Sequence, residues 1–245
     1  MKRKIFVLAI LSILVFEATS QPNIRYWDRA SYFKISGGTV SPGRDFSDAS
    51  ENGLFAKNGF QFGLDYNYMI VAGFGLGINL EYDHFHFNKE AFMDYANPEI
   101  MMISGGYAST KFGLNALFNV PVEVVKDAFA INFYVEGNAG IRGMSIPSID
   151  LEYNEIVNHY VEVSYRPRSS TMGYLGYSGG VQLLFNNRFG INVSYNALIE
   201  RRNNINYSVR MFDAQGELYE EESYLNKNLD HTGLQFGILF MFGKR

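Results

Sequence analysis

The chain has 245 residues, a formal net charge of −4, 47% hydrophobic residues, 19% charged residues and no cysteine. That length suits one domain of a size that all-β barrels reach. The missing cysteines exclude disulfides, thiolate nucleophiles, thiolate metal sites and a lipoprotein anchor, and the mild acidity gives no footprint for nucleic acid.

The chain opens on "MKRK", an apolar run "IFVLAILSILVF" and "EATS". A basic segment, a short apolar stretch and small residues in that order predict a signal peptide over residues 1–20, cleaved before Gln21. Twelve apolar residues fall short of the roughly 20 needed for a membrane-spanning helix. Its removal takes a net +2 from the whole-chain charge of −4 and leaves the mature chain at −6. Residues 21–30 then form a short N-terminal segment, expected in the periplasm, and residues 31–245 one domain.

From there a period of two runs through the chain. "YFKISGGTV" (32–40) is the weakest example. In "GFQFGLDYNY" Phe60, Phe62, Leu64, Tyr66 and Tyr68 alternate with Gln61, Gly63, Asp65 and Asn67. Leu76, Ile78, Leu80 and Tyr82 oppose Gly77, Asn79, Glu81 and Asp83, and Phe112, Leu114 and Phe118 oppose Lys111, Gly113 and Asn115. The same holds for Ile131, Phe133, Val135, Ala139 and Ile141 against Asn132, Glu136, Asn138 and Arg142. Two further stretches, 176–185 and 189–199, precede the last, where Leu234, Phe236, Ile238, Phe240 and Phe242 form one face. Alternation of this kind predicts half-exposed strands, eight in all.

Residue size decides which face points inward. Eight strands enclose a lumen just wide enough for side chains. Five Phe, Leu or Tyr per strand would overfill it, whereas Gly, Asn and Ser fit. The large residues are therefore expected to face lipid. Leu234 to Phe242 is nine residues, about 30 Å of strand, which when tilted covers an apolar band of about 25 Å. The connections run long, short, long, short, long, short, long: about 41–57, 88–106, 143–171 and 201–231 against 69–73, 119–128 and 186–188. Short periplasmic turns and long external loops are the rule of outer-membrane barrels. The expected fold is an all-β, eight-stranded antiparallel up-and-down transmembrane barrel with both termini in the periplasm. A soluble, lipocalin-like barrel is the competing fold.

"GFQFGLDYNY", "LNALFNVPVEVV" with Pro121 in a turn, "FYVEGNAGIRG" and the aromatic last strand resemble the outer-membrane β-barrel families of Bacteroidetes-type bacteria, described as porin-like or PorT-like. These share the OmpA-like eight-stranded barrel. The resemblance implies a Gram-negative outer membrane and attaches no single activity. It also implies that an aromatic near the chain end, best matched by Phe242 with Phe236 and Phe240 on the same strand face, acts as an assembly signal read by the barrel-assembly machinery.

Alternation points Asp65, Glu81, Asp83, Lys111, Glu136, Arg142 and Glu200 into the lumen. Buried charges must pair, so these are expected to form one network, read either as a structural plug or as a gated ion path. His84 and His86 share a strand face; as a metal pair they lack a third ligand, and as rim residues they replace aromatics. His159 and His231 fall in long connections without a nucleophile beside them, and no Ser stands in a nucleophile elbow. A lipid A acylase or deacylase is thus the third reading of function, behind a non-enzymatic barrel and a narrow channel. No cofactor or metal is expected. "INYSVRMF" and "LYEEESYL", like "IDLEYNEI" and "HYVEVSY", predict two external hairpins, Tyr-rich candidate surfaces for an extracellular or secretion-apparatus partner. The protein is expected to be a monomer in outer-membrane lipid.

Overall fold

The computed structural model describes residues 23–24, 30–50, 53–155, 159–168, 170–186, 188–199, 203–213 and 216–242. The predicted signal peptide, its cleavage point and Glu200 lie outside these residues. Among them are fourteen strands: β1 (Asn23–Ile24), β2 (Ser31–Pro42), β3 (Ala56–Val71), β4 (Phe74–Phe87), β5 (Ile100–Ser104), β6 (Tyr107–Val125), β7 (Phe129–Ser145), β8 (Ser148–Glu155), β9 (His159–Pro167), β10 (Ser170–Phe185), β11 (Phe189–Ile199), β12 (Asn203–Asp213), β13 (Gly216–Lys227) and β14 (His231–Phe242). Two helices, α1 (Arg44–Ser47) and α2 (Lys89–Ala96), lie in the first two long connections.

Eight of the strands close on themselves, each antiparallel to its neighbours, in the order β2, β3, β4, β6, β7, β10, β11, β14 and back to β2. Closure is complete because β14 pairs with β2 from His231↔Pro42 to Phe242↔Ser31. The wall strands are longer than the alternation suggested. β6 runs to Val125, so its turn shrinks to residues 126–128. Pro121 consequently sits in a strand and not in a turn, paired with Asn132 of β7 but beyond Phe118, the last β6 residue that β4 reaches. There a missing N–H interrupts no β4 ladder. The other short turns are 72–73, with Gly73 at φ 75°, and the connection between Phe185 and Phe189, which opens on Asn186 at φ 49°.

The wall is inside out relative to a soluble barrel. Leu114, Leu175 and Phe236 are 68%, 64% and 57% exposed, while Arg142, Asn192 and Asp83 are fully buried. Aromatics gather near both rims on the outer face. Phe185 lies 5.4 Å from Phe129 and 5.3 Å from Phe189 at the short-turn end. Phe60 stacks on His84 at 5.1 Å toward the other end. The inward set is not uniformly polar. Tyr32, Met69, Leu117 and Tyr134 close the short-turn end. At the long-connection end, Phe46 of α1 is buried among Val40, Phe85, Tyr107, Met172 and Ile205. A polar middle layer is thus sealed above and below by apolar side chains.

The remaining strands do not splay. β5, β8, β9, β12 and β13, drawn from three different connections, form one antiparallel sheet in the order β13, β12, β9, β8, β5. Both predicted hairpins exist, and the sheet that unites them was not anticipated. Its inner face carries Met101, Ile149, Leu151 and Val163, packed with Phe87 at the end of β4 and Phe92 of α2. Period two explains this face: Ile149 and Leu151 turn inward, while Asp150 between them reaches Arg166 at 2.8 Å on the other side.

Candidate functional site

The lumen charges divide into two groups. Around Lys111, whose ammonium lies on the β6 wall, stand the Glu81 carboxylate at 2.9 Å, that of Asp83 at 3.0 Å and the His231 ring at 3.3 Å. His231 Nε2 is also 3.3 Å from Asp83 Oδ2. Glu81 accepts a hydrogen bond from Asn196 Nδ2 at 3.3 Å, and Asn196 and Gln61 are joined by two more of 2.9 and 3.3 Å. Arg142 is the cross-strand partner of Lys111 and donates from Nε to Ser109 Oγ at 2.6 Å. Two cations side by side need anions near, and Asp83 lies within Coulombic reach of both.

The second group sits lower. Lys34 Nζ lies 3.1 Å from Asp65 Oδ2 and 5.8 Å from the Tyr134 ring centre, and Glu136 faces this pair. Glu136 is six residues from Arg142 on one strand, about 20 Å at 3.3 Å per residue. The two therefore belong to different groups, not to the single network expected from the sequence. Between the groups Tyr174 donates to Asn79 Oδ1 at 3.1 Å, and nearer the short-turn end Asn132 donates to Gln182 Oε1 at 2.7 Å.

Two participants were missed. Lys34 is buried inside β2, the strand whose alternation was weakest. His231, expected in a connection, opens β14 and points into the lumen. The phase of Gly233, Gln235 and Gly237, extended back by two residues, would have found it. His84 and His86 lie at the outer rim with rings 5.4 Å apart, away from His231. The side chain of His159 lies outside the described residues. Phe236, Phe240 and Phe242 all point outward on the closing strand.

At the long-connection end the five-stranded sheet presents two unlike edges. β13 carries Glu220, Glu221 and Glu222, with Glu220 paired to Arg210 at 3.0 Å. β5, "IMMIS", carries no charge and leaves Ile100 and Met102 exposed. Between the sheet's inner face, α2 and residues 53–55 lies an open cavity of about 500 Å³.

No protein-family model matches the chain, and no curated protein does. Among solved structures it is similar to Neisserial surface protein A, at 12% identity over 87% of this chain and 99% of that one, TM-score 0.49. It is likewise similar to Ail, the attachment invasion locus protein of Yersinia pestis, at 12% identity, covering 88% of this chain and 100% of that one, TM-score 0.43. The N-terminal β-barrel domain of Pseudomonas aeruginosa OprF is similar at 11% identity, over 88% and 98% of the two chains, TM-score 0.39.

Proposed function

We propose that this chain is a monomeric, non-enzymatic barrel of a Gram-negative outer membrane, exported by its N-terminal signal, that holds the five-stranded sheet outside the cell as a contact surface. One observation carries the reading. Large apolar side chains cover the outside of all eight wall strands while the ionised groups lie within, an arrangement favourable only where the solvent is hydrocarbon. Closure by β14 against β2 leaves no wall edge unpaired, as a lipid solvent requires. The alternation and turn rhythm also support kinship with the Bacteroidetes-type barrels, and insertion through the barrel-assembly machinery follows from that kinship.

The absence of native cysteine supplies a clean test. A Glu220→Cys variant should react with a membrane-impermeant maleimide on intact cells, and Asp127→Cys, in the short turn between β6 and β7, only after lysis. Heat-modifiable migration on gels should accompany both. The reverse labelling, or a soluble protease-resistant monomer, would remove the proposal. The plug reading is favoured over a channel by the apolar layers at both ends of the lumen. Planar bilayers should then show no steady conductance, and reproducible steps altered by Lys111→Met would reinstate the channel.

A further inference from the structure

The cavity at the long-connection end has three independent walls. Phe55 comes from the first connection, Phe92 and Tyr95 from α2, and Leu151, Tyr165 and Tyr207 from the sheet. Its volume of about 500 Å³ lies inside the roughly 300–1,000 Å³ that small-molecule sites occupy. Among the described residues the lining contains no charged side chain. Phe55, Phe92 and Tyr95 meet at ring separations of 5.1 and 5.7 Å, and Tyr165 and Tyr207 face each other at 6.1 Å.

Two observations set this hollow apart from an accidental gap. Phe55 has φ 55°, a left-handed conformation that is an outlier for a bulky residue and that gathers at ligand clamps. The strain is held by two backbone hydrogen bonds, Phe55 N–H to Asp48 O at 3.0 Å and Asn88 N–H to Phe55 O at 2.7 Å, which aim the ring at the cavity. The second is a cluster of hydroxyls. Tyr153 donates to the Ala96 carbonyl at 3.3 Å, whereas those of Tyr95, Tyr165 and Tyr207 make no hydrogen bond to another described residue. Burial, then the nearby Tyr153, Tyr207 and Tyr95, hold the Tyr165 phenol above its usual range, as expected where several phenols share one poorly hydrated place.

The geometry points to a binding site for an uncharged molecule with a flat ring body and a hydrogen-bond-accepting end. The rings supply stacking and edge contacts, the phenols of Tyr95, Tyr165 and Tyr207 supply donors, and the lack of charge among the described lining residues disfavours ionic ligands, whose desolvation is costly. The inference rests on reading the sheet as the exposed contact surface, and it names what that surface takes.

The test uses the full chain in nanodiscs with 6-propionyl-2-dimethylaminonaphthalene, an uncharged naphthyl ketone. Saturable, one-site, blue-shifted emission above that of empty nanodiscs is expected. Ala96→Trp, which fills the hollow, and the pair Tyr165→Phe with Tyr207→Phe, which keeps the rings but removes two donors, should each weaken binding about tenfold. Tyr224→Ala, on the exposed sheet edge, should leave it unchanged. The anionic probe 1-anilinonaphthalene-8-sulfonate should bind at least about tenfold more weakly. Equal binding by all variants, emission no greater than empty nanodiscs, or preference for the anion would overturn the site. Heat-modifiable migration is read on the same samples: a heat-modifiable barrel without saturable binding sinks the site alone. A soluble chain that binds the ketone sinks the membrane reading and keeps the site.

Discussion

His231 Nε2 and Asp83 Oδ2 meet at 3.3 Å although β14 and β4 are not neighbours in the wall. The contact crosses the lumen and links the closing strand to the far side of the barrel. Because Lys111 touches both, one cation holds together groups from strands β4, β6 and β14.

Removing that cation is the most direct test. Lys111→Met strips the partner from two buried carboxylates, and breaking a buried ion pair costs about 3–5 kcal/mol. Urea unfolding in detergent should show a loss of that size. Adding Asp83→Asn should recover part of it, since the second change removes a charge left without compensation. Strictly additive losses would mean that the pair does not interact.

The outer face is tested on the closing strand. Ile238 is half exposed at the middle of β14, where an arginine facing lipid costs about 2–4 kcal/mol. Ile238→Arg should lower folding stability in liposomes accordingly, while Tyr224→Arg on the sheet should change little. Similar effects at both sites would contradict a lipid-facing wall.

One residue back along the same strand the expectation changes. A Cβ added at Gly237 would lie 2.8 Å from Ile35 O and 3.1 Å from Ser36 Cβ, and the first of these is backbone that cannot turn aside. Gly237→Val should therefore destabilise the barrel by about 1–3 kcal/mol and slow the appearance of the heat-modifiable form. An unaltered refolding rate and midpoint would show that β2 yields there.

The sheet has its own pH limit. The Tyr165 phenol is held above the usual value of 10.0, chiefly by burial. A raised acid pKa favours the neutral folded form, so its contribution is complete below about pH 10 and is lost as the pH rises further. Protection factors of the β8 and β9 amides, which already allow for faster intrinsic exchange in base, should fall as the pH rises above about 10 while wall strands stay protected. Tyr165→Phe should abolish that fall, and its persistence would assign the effect elsewhere.

Much of this fold was legible in one dimension because a barrel wall has a two-residue period. Phe236 and Ile238 declare one face, Gln235 and Gly237 the other. The alternation of large against small then states that the large face is outside, since side chains of that volume do not fit eight strands' interior. The same period turned Asp65, Glu81, Asp83, Lys111, Glu136 and Arg142 inward. It failed at strand ends, where residues such as Pro121 and His231 carry no pattern long enough to separate strand from loop.

What the sequence by itself determined is therefore local: eight alternating strands, their faces, and the long and short rhythm of their connections. Only the tertiary structure decided which charges meet. Barrel closure and stagger bring His231 of β14 to Lys111 of β6, a contact that spacing along a strand does not encode, whereas the separation of Glu136 from Arg142 follows from their six-residue spacing on β7. It also decided that hairpins from separate connections join β5 in one sheet over an aromatic hollow. Inter-strand pairing satisfies backbone groups whatever the side chains, so the partners of an external strand are set by where the wall delivers it.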